Sequence, residues 1–167
     1  KLGVEREASR LKRMIAPAIS PQIIPFIEAQ ALIFVGSTDA TGQPWSSALY
    51  GEQGFLQVPE STEMVIDREM IRSPKGDVFY ANIETNPEVG FLFIHPESRT
   101  RFRVNGYLTR QGRKIKVRVG ESYGNCPKYI QAGNLVIDNT FDANRGTVFQ
   151  GSALDDRGLE MISRSNT

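Results

Sequence analysis

The sequence has a single cysteine, Cys126, and a single histidine, His95, and those two scarcities remove several mechanisms at once. A zinc centre needs about four N, S or O ligands, which one Cys and one His supply only by recruiting carboxylates. A Ser-His-Asp or Cys-His centre would depend wholly on His95, which precedes Pro96 in "FIHPES" and so reads as the end of a strand. One cysteine closes no internal disulfide, and a reducing, cytoplasmic setting is the expectation. Excess charge is missing too: 20 Lys+Arg against 19 Asp+Glu leave a formal +1. A nucleic-acid binder carries a basic excess gathered on one face, so no nucleic-acid partner is expected. No apolar run approaches the roughly 18 residues that span a bilayer, and no membrane partner is expected. No glycine-rich phosphate loop is present either, since "GSTDATG" lacks the required lysine and spacing.

What remains is a chain of 167 residues, enough for one domain with an added arm. In "GVEREASRLKRMIAPAI" the apolar Val4, Ala8, Leu11 and Ile15 recur at helical spacing, which predicts an amphipathic helix ended by Pro17. "SPQIIPFIEAQ" predicts a second short helix, capped by Ser20 with Pro21 at its first position. From residue 31 the texture is that of strands. "ALIFVGSTD" and "WSSALYG" flank the turn residues "ATGQP" as a hairpin; "GFLQVP" and "EMVID" follow as short strands. "GDVFYANIETNP" interrupts them with a helix capped by Asp77 and stopped at Asn86-Pro87, and "EVGFLFIHP" resumes the strand texture.

Two strongly alternating segments come next. In "RTRFRVNGYLTR", Arg101, Arg103, Asn105 and Tyr107 share one face and Phe102, Val104 and Leu108 the other. In "RKIKVRVGESYG", Ile115, Val117 and Val119 oppose Lys114, Lys116 and Arg118. About six closely spaced strands with one inserted helix predict a mainly β fold, a small antiparallel β-barrel with flanking helices. "LDDRGLEMISRS" reads as a terminal helix. The expected organisation is a helical arm over 1–30, a barrel over 31–132 and an extension over 133–167.

Three stretches carry chemistry. The polar face of Arg101, Arg103 and Asn105 has the pattern of a solvated strand, the usual fate of alternating charges, and also that of an anion site. Arginine's planar fork suits phosphate, and the glycine of Asn105-Gly106 marks a bulge or a close approach. In "PWSSALYG", Ser46 and Ser47 point to opposite faces, so one of them at most serves a given pocket, while Trp45 offers an aromatic plane. Taken alone, the stretch is read more simply as core packing of Trp45 with the serines satisfying backbone at a strand edge. "RSPKG" places Arg72, Ser73 and Lys75 in a turn, a frequent surface pattern and also a set of phosphate donors. Around the lone cysteine, "GNCPKYIQ" places Cys126 just before a proline that suits the start of a helix.

"ALIFVGSTDATGQPWSSALYGEQGFLQVP", "IETNPEVGFLFIHPESRTRFRVNGYL" and "ESYGNCPKYIQ" resemble the pyridoxamine 5'-phosphate oxidase-like flavin-binding split barrels, over about residues 2 to 132. The predicted flavin-nucleotide-binding branch is the nearest in pattern. The resemblance implies a split β-barrel of the FMN-binding type, an FMN cofactor and a homodimer with flavin held between two barrels. It also implies a flavin-dependent oxidoreductase acting on a small molecule. It further implies flavin contacts from Trp45, Ser46, Ser47 and Ala48, from Lys75 at the phosphate, from Arg101, Arg103 and Asn105, and from Asn125 and Lys128 beside Cys126. True pyridoxamine phosphate oxidases carry Arg-x-Val-Leu-Leu-Lys where this chain has "WSSALYG", so that substrate is not expected. Longer relatives continue into a second barrel, and the chain is expected to match the first half of such a duplicated protein. The contrasting expectation is a non-catalytic barrel half that mediates dimerisation or sequesters a flavin or haem ligand.

Overall fold

The computed structural model describes residues 15–126, 130–134 and 153–165. Its first segment runs extended beside the sheet: Ala16 and Ser122 exchange backbone hydrogen bonds of 2.9 and 2.7 Å. The hydroxyl of Ser122 donates to the Ala18 carbonyl at 2.6 Å. The arm helix expected to run up to Pro17 therefore does not include Ala16, and its first residues lie outside the described ones. The second expected helix starts later than Ser20. Ile23 N donates to Ser20 O, so Pro21 occupies a tight turn that its fixed φ favours. Helix α1 then spans Ile24–Glu28, with Pro25 in its first turn and Ile27 buried.

Seven strands follow among the described residues: β1 (Leu32–Thr38), β2 (Pro44–Tyr50), β3 (Leu56–Glu60), β4 (Glu63–Asp67), β5 (Glu88–His95), β6 (Thr100–Gln111) and β7 (Lys114–Gly124). They form one antiparallel sheet in the order β2-β1-β5-β6-β7-β4-β3. Alternation along each strand puts one face in the core. Ile33 and Val35, Leu49, Phe91 and Phe93, Val104, Ile115 and Val117 are all essentially inaccessible. Each such side chain contributes roughly 1.5–3 kcal/mol by leaving water. Between β4 and β5, helix α2 (Val78–Thr85) covers β1 and β2 on this face and buries Phe79 and Asn82. Asn82 Nδ2 donates to Ser37 Oγ at 2.9 Å, so its buried amide is not left without a partner. Asp77 caps α2 as expected, accepting from Phe79 N at 2.8 Å.

The expected barrel is not closed. β2 and β3 are the two edges of the sheet, and no ladder joins them among the described residues. Pro59 lies in β3, where a closing ladder needs N–H donors. The β2 edge is met instead by the segment after β4. A single bridge links Gly51 and Ile71, flanked by Arg72 N to Tyr50 O (2.8 Å) and Glu52 N to Met70 O (3.1 Å). Gly51 is needed there, because a Cβ would lie 2.5 Å from the Met70 carbonyl.

One irregularity positions the site. Opposite the Asn105-Gly106 step of β6, strand β7 carries one extra residue: Asn105 pairs with Glu121 but Gly106 with Val119. Gly120 is that residue. Its bulge reverses the alternation of β7, so Val119 points into the core while Glu121 turns outward and Ser122 inward. At the far end, helix α3 (Asp156–Arg164) is capped by Asp155, which accepts from Gly158 N at 2.7 Å, and buries none of its residues. It matches the expected terminal helix; most of the remainder of the expected 133–167 extension lies outside the described residues.

Candidate functional site

The outer face of the sheet is built in rows that only the strand register brings together. The central row is Ser46, Gly36, Gly90, Asn105 and Glu121, each paired with the next on the neighbouring strand. Two adjacent glycines leave a strip of bare backbone between a serine hydroxyl on one side and an amide and a carboxylate on the other. On one flank lies the row Ala48, Phe34, Leu92, Arg103 and Tyr123. On the other flank Glu88 pairs with Tyr107, and Tyr107 with Arg118.

Two connected depressions follow from this layout. A cleft of about 250 Å³ is lined by Phe34, Gly36, Ser46, Gly90, Arg103 and Asn105 among others. A larger groove of about 630 Å³ shares Gly36, Gly90 and Asn105 and runs on to Trp45, Glu88, Tyr107 and Glu121. That volume is in the range of small-molecule sites. The two ends differ in charge: Arg103 stands at the cleft, two carboxylates at the groove.

The polar groups are held in place by their own chain. Asn105 Nδ2 donates to Glu121 Oε2 at 2.9 Å. Its Oδ1 faces Gly90, where it would lie 3.1 Å from a Cβ. Arg103 Nε donates to Asn125 Oδ1 at 3.0 Å, and Arg101 Nη2 donates to the Cys126 carbonyl at 3.0 Å. The Arg101 Nε is buried with no acceptor among the described residues. At the β1–β2 turn, Trp45 Nε1 donates to Asp39 Oδ2 at 3.0 Å. Asp39 also accepts from the Thr41 hydroxyl (2.7 Å) and from the amides of Thr41 and Gln43. Those bonds, the Thr41 hydroxyl first and the indole second, pull its carboxyl down to about 2.

The sequence expectations divide on this geometry. Ser46, Arg103 and Asn105 converge on the cleft, Trp45 lines the groove, and Ala48 sits in the row beside it. Asn125 joins through its bond to Arg103. Ser47 faces the other way: it is buried, and its hydroxyl donates to Asp77 Oδ1 at 2.6 Å, bracing the cap of α2. Lys75 is exposed in its turn and lines neither depression. The "RSPKG" turn serves the fold, since Ser73 Oγ accepts from Tyr50 N at 2.7 Å and donates to Ala48 O at 3.1 Å. Arg101 is turned onto Cys126 rather than into the cleft. Lys128 and the helix expected from Pro127 lie outside the described residues. His95 ends β5, as its place before a proline predicts, with Nδ1 2.9 Å from Ser98 Oγ.

Sequence reasoning missed Gly36, Gly90, Glu88 and Glu121. The available signal was a glycine inside each of two strand patterns, "FVGST" and "EVGFL".

No family model matches the chain, and no curated protein matches it. Solved structures similar to it include HupZ of Group A Streptococcus, 17% identical over 71% of this chain and 99% of that one, with a TM-score of 0.49. A putative pyridoxamine 5'-phosphate oxidase from Lactobacillus delbrueckii is 14% identical over 65% and 95%, at 0.49. An FMN-binding protein from Syntrophomonas wolfei is 9% identical over 72% and 93%, also at 0.49.

Proposed function

We propose that the outer face of the sheet binds a flavin nucleotide, FMN, and that the chain is a flavin-dependent oxidoreductase acting on a small molecule. The observation that carries this reading is the bare floor of Gly36 and Gly90 with Arg103 on one flank. A planar ring system needs close approach to backbone, which side chains at either position would prevent. Its anionic tail needs a cation, which Arg103 supplies in a form suited to paired, charge-assisted bonds. Ser46 adds a hydroxyl that donates or accepts, and Asn105 presents an acceptor over the floor. The carboxylates of Glu88 and Glu121 keep a phosphate away from the groove end, so the tail belongs at the Arg103 end. Bound flavin supplies the electron transfer itself, and the protein's part is binding, orientation and electrostatics. The half-exposed apolar row of Phe34 and Leu92 favours a second copy covering this face, as a homodimer. Among the described residues no helix is long and apolar enough to cross a membrane.

A second reading has an observation of its own. Arg101 and Arg103 already bond to Cys126 and Asn125, and Lys75 stands off the site, so the phosphate end is sparsely furnished. That favours a non-catalytic half that pairs with another barrel or sequesters a flavin or haem ligand. Titration of the purified protein with FMN separates the readings at their first step. Uptake that quenches flavin fluorescence at stoichiometric ratio supports flavin binding, and reduction of the bound flavin with reoxidation by a small-molecule acceptor supports the oxidoreductase. Protein that neither carries nor takes up flavin contradicts the primary reading.

A further inference from the structure

Elsewhere on the surface, cations are matched by carboxylates: Arg72 meets Glu52, Arg113 meets Glu69 and Lys116 meets Glu63. Three arginines around the start of β6 are held differently. Arg103 Nε donates to Asn125 Oδ1 at 3.0 Å, Arg101 Nη2 to the Cys126 carbonyl at 3.0 Å and Arg99 Nε to the Ile130 carbonyl at 3.2 Å. All three acceptors are neutral, and none of these arginines forms an ion pair among the described residues. A guanidinium carries five N–H donors, so each is fixed through one and keeps the others. Three positive charges are thus oriented and none is neutralised.

Two further features point to a missing counter-charge. Arg101 Nε is buried with no acceptor among the described residues, and an unmade bond on a charged donor is costly. Arg99 is the one non-glycine among the described residues with left-handed backbone, at φ 52°. That conformation ordinarily falls to glycine or asparagine, and such strain persists where something else gains by it. Here it brings the Arg99 guanidinium to Ile130, on the stretch of chain that holds the other two through Asn125 and Cys126.

We propose that Arg99, Arg101 and Arg103 form a binding strip for a phosphoanion with at least two phosphate groups, running from the cleft toward the β5–β6 turn. Arg101 and Arg103 stand two residues apart on one face of β6, about 7 Å along the strand, and their long side chains close that distance. Adjacent phosphates then take one guanidinium each through paired, charge-assisted bonds, with Arg99 at the outer end. A phosphate oxygen satisfies the Arg101 Nε donor that the chain itself leaves unmet. A monophosphate meets Arg103 alone. The strip goes beyond the flavin reading, which uses only Arg103, and stands whether or not flavin occupies the cleft.

The test is calorimetric titration of the purified protein with inorganic phosphate and, separately, with inorganic diphosphate. The proposal expects saturable diphosphate binding, at least about tenfold tighter than phosphate. Arg99→Gln and Arg101→Gln should each weaken diphosphate about fivefold or more and phosphate less than about twofold, with the far-ultraviolet spectrum unchanged. Arg99 is exposed, so its variant keeps the test valid even where loss of the half-buried Arg101 disturbs folding. Arg113→Gln, which removes an exposed cation outside the strip, should leave both affinities as they are. Equal affinity for the two anions overturns the proposal, as does an Arg113→Gln effect as large as that of Arg99→Gln, which would mark attraction by general charge. FMN uptake is followed separately by flavin absorption. Diphosphate binding that depends on Arg99, without FMN uptake, sinks the flavin reading and supports this one; FMN uptake without diphosphate binding does the reverse.

Discussion

Asn105 and Glu121 face each other across β6 and β7, and the 2.9 Å bond from Asn105 Nδ2 to Glu121 Oε2 fixes which end of the amide looks over Gly90. The Gly120 bulge makes this pairing possible, since without it residue 121 would point into the core. Local backbone irregularity, cross-strand pairing and the character of the site are thus one chain of causes.

Gly90→Ala tests the floor. A methyl there would come 3.1 Å from Asn105 Oδ1 and stand up in the strip that a planar ring needs. The substitution should weaken FMN uptake at least about tenfold, some 1.4 kcal/mol, while lowering the unfolding midpoint only modestly. Parallel titrations and thermal melts measure both; unchanged uptake removes Gly90 from the site.

Gly106→Ala should behave differently. Its Cβ would fall 2.3 Å from the backbone oxygen of Arg118 and 3.0 Å from Val117 Cγ1. Backbone cannot swing aside as a side-chain tip does, so a loss of about 1–3 kcal/mol or more is expected in denaturant unfolding.

The two serines of "WSSA" provide an internal control. Ser47→Ala removes a buried bond to a carboxylate and should cost about 1.5–3 kcal/mol of stability. Ser46→Ala is exposed and should leave stability within about 0.5 kcal/mol while weakening the flavin. If the effects are exchanged, the assignment of faces is wrong.

These serines also mark how far the sequence can be read. Period-two alternation separated Ser46 from Ser47, and Arg103 from Val104, without structural help, because side-chain direction in a strand is a local property. Which of the two faces becomes core depends on what packs against it, and α2 decided that for Ser47. The site floor was harder still. Gly36 and Gly90 lie far apart in the chain and meet only through the β1–β5 register, which no local pattern encodes. Glu121 reads as core-facing if the alternation of Ile115, Val117 and Val119 is simply continued; only the extra residue at Gly120 corrects it. The displaced start of α1 has a similar origin. Ser-Pro opens a helix and a turn equally well, and the backbone bond from Ile23 to Ser20 selects the turn.

Acid should loosen Trp45 through Asp39. The Asp39 carboxyl titrates at about 2 in the folded chain, below its ordinary 3.8, so the folded state resists its protonation. The support it gives is complete above 3.8 and is lost as pH falls through about 2. Emission of Trp45 should therefore hold steady down to that range and then shift, whereas Asp39→Asn should show the shifted emission already at neutral pH. A transition nearer 4 would contradict the bonding described.

The central claim is that FMN lies on the Gly36–Gly90 floor with its phosphate toward Arg103. Equilibrium dialysis of FMN and of riboflavin, which lacks the phosphate, against the wild-type chain and Arg103→Ala tests it most directly. FMN should bind the wild type more tightly than riboflavin, and Arg103→Ala should cost FMN about 1.5–3 kcal/mol while barely affecting riboflavin. Failure to retain either flavin, or an FMN preference that survives loss of Arg103, would contradict the account.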